Sequence, residues 1–90
     1  MTEFRDNAAM HRYELDALEG QSFAEYRDVA GVRVILHVET PAKAQGKGYA
    51  SQLMKHIVDD ARHEKRRLRA SCAFAVAYFR RHPDAADVQA

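Results

Sequence analysis

The most regular hydrophobic pattern in the chain lies between Tyr49 and Glu64. Apolar residues recur there at intervals of three and four positions, with polar residues between them, which is typical of a helix with one buried face. The apolar set is Ala50, Leu53, Met54, Ile57, Val58 and Ala61. The spacing therefore predicts one long amphipathic helix that packs against a core.

Four shorter segments are typical of β-strands. Residues 11–15 alternate weakly between polar and apolar side chains, and 23–27 form a second short strand. Five of the seven residues in 32–38 are Val, Ile or Leu, which predicts a strand largely covered on both faces. A fourth short strand is predicted at 67–70, with Leu68 directed inward.

A second helix is predicted over residues 73–81, where Phe74, Ala77 and Tyr78 stand at packing spacings. Pro83 stops this helix, because proline lacks the backbone donor that a helix needs. The elements then follow the order β-β-β-α-β-α. Antiparallel strands come first, and a crossover through the long helix adds a parallel strand. This order predicts an α/β domain built on a mixed sheet.

Size and composition indicate a single domain spanning residues 1–90. Residues 1–9 are expected to be a frayed terminus or the approach to a first strand, and 84–90 a frayed tail. No run of ~18 apolar residues predicts a membrane span, and the charged N-terminus does not resemble a signal peptide. Cys72 is the only cysteine, so we expect a reduced, cytoplasmic protein. We also expect a monomer or a weak homodimer.

Residues 45–50, Gln-Gly-Lys-Gly-Tyr-Ala, separate the buried-strand pattern from the long helix. Two glycines allow a tight turn and a close approach of the backbone to another group. The helix start behind them offers unpaired N–H groups and the positive end of a dipole. A strand, a glycine-rich turn and a helix in this order predict a phosphate-binding site. Such a glycine pair also occurs in ordinary turns.

Two other chemistries are less well supported. Basic residues crowd into 62–69, but they also suit a solvated helix end, and no aromatic residues interleave them as in many nucleic-acid sites. With a formal net charge of +1, we do not expect a nucleic-acid partner. His56 and His63 are seven positions apart, outside the chelating spacing of four, and we predict no metal site.

The loop resembles the pyrophosphate-loop pattern of the GNAT acetyltransferase superfamily, Gln/Arg-x-x-Gly-x-Gly/Ala, with Gln45, Gly48 and Ala50 at the matching positions. More narrowly, residues 12–88 resemble the small, single-domain GNAT-like (Yjdj-type) N-acetyltransferases. The hallmark segments are His37-Val38-Glu39-Thr40-Pro41, the 45–50 loop, Ser71-Cys72-Ala73-Phe74 and Tyr78-Phe79-Arg80-Arg81-His82-Pro83. The resemblance implies a minimal GNAT fold.

The resemblance also implies acetyl-CoA or CoA as the cofactor. Backbone amides of the loop would hold the pyrophosphate; the residues are Gln45, Gly46, Lys47, Gly48, Tyr49 and Ala50. Lys47 would pair with phosphate, unless it is a solvated loop lysine. Backbone groups of Val38 and Thr40, around Glu39, would bind the pantetheine amides where two parallel strands of the fold splay apart.

Three side chains are candidates for the chemistry. Cys72 stands where the short strand should end and a helix begin, a position that favours a thiolate; it is a nucleophile or acyl-proximal thiol by resemblance, or a small buried residue. Tyr78 matches a Tyr that protonates the CoA thiolate in many GNAT enzymes, or it is a core aromatic. Glu39 would accept the amine proton through water, with His37 as an alternative, or both are ordinary sheet-face residues.

The resemblance implies acetyl transfer from acetyl-CoA to a primary amine. The chain lacks the N-terminal helices that wall the acceptor site in longer members of the superfamily. We therefore expect an open acceptor groove that suits a protein or peptide amine. The alternative is a CoA-binding or acetyl-CoA-binding sensor or interaction module without catalysis.

Overall fold

Five strands form one mixed sheet in the computed structural model, which describes residues 2–90. In chain order the strands are β1 (Glu3–Asn7), β2 (Arg12–Ala17), β3 (Gly20–Val29), β4 (Val32–Glu39) and β5 (Arg67–Ala70), and the helices are α1 (Tyr49–Glu64) and α2 (Ala73–Arg81). The strands follow chain order across the sheet, antiparallel from β1 to β4 and parallel between β4 and β5. As predicted, α1 is the crossover between the two parallel strands.

The core lies between the sheet and the two helices. Helix α1 has its predicted bounds and buries five of its predicted apolar residues, Leu53, Met54, Ile57, Val58 and Ala61. Helix α2 also has its predicted bounds, but it packs through Ala75, Tyr78 and Phe79. The prediction that Phe74 packs in the core is wrong, because the buried positions lie three and four apart on another face of the helix. Phe74 is 37% exposed.

Neither expectation for residues 1–9 is met, because Glu3–Asn7 form a strand of their own rather than a frayed terminus or the approach to a first strand. Strand β1 pairs with β2, and Phe4 stands opposite Leu15. The Phe4 ring stacks between Tyr13 and His56, with centroid distances of 5.6 and 4.9 Å. Burial of this one aromatic ring against β2 and α1 explains why the terminus is ordered, since an aromatic side chain carries a large hydrophobic contribution.

The prediction of a frayed tail over 84–90 is wrong. Residues Pro83–Val88 form a 3-10 helix that buries Ala85 and Val88. Arg62 on α1 donates to both carboxylate oxygens of Asp87 at 2.7 and 2.8 Å. The backbone N–H of Ala90 donates to the carbonyl of Leu68 at 2.8 Å. The C-terminal residues therefore extend the sheet beside β5.

Strand β4 was predicted to be largely covered on both faces. This is wrong for its second half, which is mostly exposed. Leu36 is 39% exposed, and His37 and Glu39 are exposed as well. The pairing with β5 stops at Ile35 opposite Ala70, whereas β4 continues to Glu39 beside β3. A register shift beside Leu36 accompanies this divergence. The end of β4 thus keeps a backbone edge that β5 does not reach.

At the other end of β4, Arg33 forms a buried polar cluster. Its guanidinium donates to both oxygens of Asp28 at 2.7 and 2.9 Å, to Asp6 at 3.0 Å and to the Tyr13 hydroxyl at 3.0 Å. It also lies 3.8 Å from the centre of the Tyr26 ring. Burial opposes the charge, but these hydrogen bonds outweigh it and raise the pKa of Arg33.

The same contacts change the pKa values of the partners. The hydrogen bond from Arg33 lowers the pKa of Asp28. Burial raises the pKa of Tyr13 to about 12, in spite of its contact with Arg33. One guanidinium therefore joins β1, β2, the β3–β4 hairpin and, through Tyr13, the Asp60 carboxylate of α1, which is 3.4 Å from the Tyr13 hydroxyl.

We expect Arg33→Met to lower the free energy of unfolding by about 2–4 kcal/mol, because it leaves two carboxylates without their cation. The measurement is urea denaturation at neutral pH. The matched control is Arg27→Met on the same hairpin, where the side chain is exposed and a change within about 0.5 kcal/mol is expected. Equal effects of the two substitutions would contradict the role of the cluster.

Candidate functional site

Residues 45–48, in the loop between β4 and α1, are exposed. Gly46 and Gly48 have φ angles of +81° and +79°, a region that side chains other than glycine rarely adopt. Gly48 is the N-cap of α1, and no side chain within residues 2–90 caps this helix start. The first turn also has no acidic residue to neutralise the dipole. The helix start is therefore suited to an external anion.

A pocket of about 220 Å³ adjoins the loop. It is lined by Thr40, Ala44, Gln45, Gly46, Gly48, Tyr49, Ala50, Ser51 and Phe74. The end of β4, the start of α1 and the start of α2 thus meet around one hollow. A larger hollow of about 450 Å³ lies beside Met10, Tyr26 and Leu36, but no glycine loop or helix start is among its lining residues.

Most of the predicted cofactor-binding residues share this pocket. Six of the eight line it, namely Thr40, Gln45, Gly46, Gly48, Tyr49 and Ala50. The Gln45 amide donates to the carbonyl of Thr40 at 3.2 Å and so closes the loop onto the strand. Val38 packs against the core instead, and its backbone belongs to the part of β4 that extends past β5. Lys47 lies in the loop and pairs with Glu19.

The turn between β2 and β3 contributes a residue that sequence reasoning did not single out. The Glu19 carboxylate accepts a hydrogen bond from the Tyr49 hydroxyl at 2.7 Å and lies 3.6 Å from the Lys47 ammonium. The hydrogen bond from Tyr49 lowers the pKa of Glu19. Glu19 and Tyr49 are 30 positions apart, and no local pattern signals such a contact. Phe74 was expected in the core, and it lines the pocket instead.

Cys72 stands at the junction of β5 and α2, as predicted. It is the N-cap of α2, and its sulfur accepts the backbone N–H of Ala75 at 3.4 Å. The thiol is half-buried and packs against the core. The backbone N–H of Cys72 donates to the carbonyl of Ile35 at 3.3 Å, at the point where β4 and β5 diverge. The residue therefore has a structural role at the helix start beside any chemical one.

Tyr78 lies about 9 Å further along the axis of α2 than Cys72, since a helix rises about 1.5 Å per residue. It is 8% exposed, and its ring stacks on His82 with centroids 4.0 Å apart. Burial raises the pKa of the Tyr78 phenol, so the hydroxyl keeps its proton at neutral pH. These contacts are those of a packed aromatic residue, and its role as an acid stays a prediction.

His37 and Glu39 form an exposed pair on β4, with 3.1 Å between the His37 Nε2 and the Glu39 carboxylate. Phe23 on β3 meets the His37 ring edge-on at a centroid distance of 6.2 Å. Both residues alternate with Val38, which packs against the core, so they lie on the opposite face of the sheet. The pair is accessible, but neither residue lines the 220 Å³ pocket.

In the described range 2–90, no three His, Cys, Asp or Glu side chains come together in an arrangement that could hold a metal ion. The helices within that range are too short or too polar to cross a membrane.

Comparisons with known proteins agree with this architecture. A family model described as GCN5-related N-acetyl-transferase matches residues 12–88. The NMR solution structure of a GCN5-like protein from Staphylococcus aureus, proposed to be an N-acetyltransferase, aligns with a TM-score of 0.70 at 24% identity. The alignment covers 98% of this chain and 87% of the other, and it shows a shared fold. A search of curated proteins gives no match.

Because Cys72 is the N-cap of α2, its replacement should change the stability of the protein. We expect Cys72→Ser to be more stable than Cys72→Ala by about 1 kcal/mol, because a serine hydroxyl caps a helix and alanine cannot. Urea denaturation of both variants measures the difference. Ser71→Ala is the matched control, since Ser71 is exposed and precedes the cap. If the two Cys72 variants were equally stable, the capping contact would contribute nothing.

Proposed function

The chain belongs to the GCN5-related N-acetyltransferase (GNAT) family, and on that premise we propose that it binds acetyl-CoA beside residues 45–50 and moves the acetyl group to a primary amine. The observation that carries this proposal is the continuity of the site. An uncapped helix start behind two positive-φ glycines opens into the same pocket that the end of β4 borders. CoA has a matching shape, because it carries a diphosphate that could lie at the helix start and an extended pantetheine arm that could lie along the end of β4.

The loop fits a diphosphate group. An added Cβ at Gly46 or Gly48 would meet nothing within 4 Å, so the space beside these α-carbons is open. Lys47 is the only basic residue in 44–52 and is half exposed. Backbone N–H groups and one flexible ammonium are the donors that a phosphate needs. We assign residues 45–50 to this group.

The free edge of β4 fits the amides of a pantetheine arm. From His37 to Glu39 the backbone has partners on β3 but lies beyond the register of β5. An extended ligand can pair with such an edge as an added strand does. Val38 and Thr40 supply the backbone groups in this assignment. The Thr40 carbonyl already accepts from Gln45 and retains a second lone pair.

Bound acetyl-CoA would supply an activated acetyl thioester. The residues of the chain would orient it and accept the proton of the attacking amine. Glu39, paired with His37, is the proposed base, and it acts through water because the pair is exposed. Tyr78 is the proposed acid for the departing thiolate. An uncovered sheet face beside this pair would admit an amine carried by a protein or peptide.

Cys72 offers a second route. In this route the Cys72 thiol would first lose its proton to solvent. Its thiolate would then attack the thioester carbonyl to form a new S–acetyl bond, the bond between the acetyl carbon and the CoA sulfur would break, and the departing CoA thiolate would take a proton from water. An amine would then attack the acetylated Cys72, forming an amide and returning the thiol. Direct transfer to the amine requires no such intermediate. The position of Cys72 where β4 and β5 diverge supports a place near the acetyl group in either route.

One observation favours the alternative of a CoA-binding module without catalysis. Glu39, His37 and Tyr78 are all outside the lining of the pocket, and Tyr78 packs on His82. Under this alternative the protein binds CoA and acetyl-CoA but acetylates no amine. Cofactor binding and acetyl transfer must therefore be measured separately.

We expect CoA to bind the wild-type protein and Lys47→Met to weaken the binding by about three- to fivefold, the effect of an exposed ion pair. Isothermal titration calorimetry measures both affinities. Lys65→Met is the matched control, since it removes the same charge just beyond the far end of α1. A wild-type protein that binds no CoA would mean that the loop is only a turn. Transfer to a panel of small amines and peptides then tests catalysis.

Intact-mass spectrometry after incubation with acetyl-CoA separates the two routes. A single acetyl adduct on the wild type that is lost in Cys72→Ser, together with loss of amine acetylation, is the expected result for a thiol intermediate. Full transfer activity of Cys72→Ser would assign direct transfer. CoA affinity serves as the control, because serine preserves the helix cap.

A further inference from the structure

Lys47 of the loop and Tyr49 at the start of α1 reach the same carboxylate. The Tyr49 hydroxyl donates to one oxygen of Glu19 at 2.7 Å, and the Lys47 ammonium lies 3.6 Å from the other. Glu19 is partly shielded, with 28% of its side chain exposed, whereas the Lys47 side chain is 50% exposed. The only cation of residues 44–52 is thus already paired with an anion of the chain itself.

The position of Glu19 is held by the backbone around it. The turn between β2 and β3 is tight, with Ala17 opposite Gly20 in the register. Gly20 has a φ angle of +139°, and a Cβ there would stand 2.8 Å from a side-chain carbon of Pro41. Only glycine allows this approach. The turn that carries Glu19 is therefore packed against Pro41, near the start of the loop.

A fixed carboxylate beside an anion site has two opposite effects. Its hydrogen bond with Tyr49 holds the first residue of α1 in place, which preorganises the loop. Its charge repels an incoming phosphate and competes with that phosphate for Lys47. The two effects can be separated, because a glutamine in place of Glu19 keeps an oxygen for the Tyr49 hydroxyl and removes the charge.

We propose that Glu19 is a positioning residue of the cofactor site that substitutes for the cofactor phosphate as the partner of Lys47. It holds the loop ready in the free protein and releases Lys47 when a phosphate arrives, and its charge sets an upper limit on the affinity for phosphate-bearing ligands. This inference rests on the proposed function, and it adds selection between ligands with and without phosphate.

Calorimetry at low ionic strength tests this proposal with two probes, CoA and the phosphate-free fragment pantetheine. We expect Glu19→Gln to bind CoA about threefold more tightly, the scale of an exposed ion pair, and to bind pantetheine as the wild type does. In a Lys47→Met background the gain should shrink, because the competition for Lys47 is gone. The gain should also shrink at high salt.

Two control variants complete the design. Glu64→Gln removes the same charge at the last residue of α1, about 22 Å along the helix from Tyr49, and should leave CoA affinity unchanged. Tyr49→Phe removes the hydrogen bond that holds the loop and keeps the charge, so it should weaken the binding of CoA and leave that of pantetheine, which has no phosphate for the loop, unchanged. Thermal unfolding confirms that each variant is folded.

The outcomes separate this inference from the proposed function. CoA binding by the wild type with equal or weaker binding by a folded Glu19→Gln variant would overturn the role of Glu19 and leave the cofactor site standing. An equal gain for pantetheine would also overturn it, since the gain would then not come from the removal of repulsion between Glu19 and a phosphate. Failure of both the wild type and Glu19→Gln to bind CoA would overturn both proposals.

Discussion

The carbonyl oxygen of Ile35 accepts hydrogen bonds from two successive backbone N–H groups, those of Ser71 at 2.9 Å and Cys72 at 3.3 Å. A parallel ladder needs its donors spread along the partner strand. Here the N–H groups of Ser71 and Cys72 both donate to the Ile35 carbonyl. Strand β5 therefore ends and the chain enters α2. Strand β4 continues without that neighbour, and its free edge, the start of α2 and the pocket all result from this divergence.

The two ends of β4 have opposite physical character. At its start, Arg33 is buried and its guanidinium is bound by Asp28, Asp6 and Tyr13. At its end, His37 and Glu39 are exposed. Within residues 2–90, the side chain of each forms a hydrogen bond only with the side chain of the other. The four hydrogen bonds of this buried guanidinium make the start of the strand rigid. A rigid end can hold the strand while the other end stays open to a ligand.

The loop behind β4 is the proposed anion site, and in the free protein an anion of the chain itself already lies beside it. Its helix start is uncapped and its glycines are open, yet Lys47 and Tyr49 are both held by Glu19. A cation left unpaired beside a helix start would be repelled by the positive end of the dipole. The carboxylate relieves that repulsion, and in our proposal it gives way to phosphate. Family membership and this arrangement point to the same class of ligand.

Local patterns in the sequence predicted the bounds of α1 and α2, the mixed sheet and the glycine loop, because periodicity, helix capping and positive φ angles depend on near neighbours along the chain. The family resemblance, confirmed by the match to residues 12–88, added the cofactor as an expectation. Only the tertiary structure decided which distant residues meet. Phe4 stacks on His56, Glu19 reaches Tyr49, Phe74 lines the pocket and the C-terminal residues pair beside β5. Such contacts carry no periodic signal, since packing between separate elements creates them.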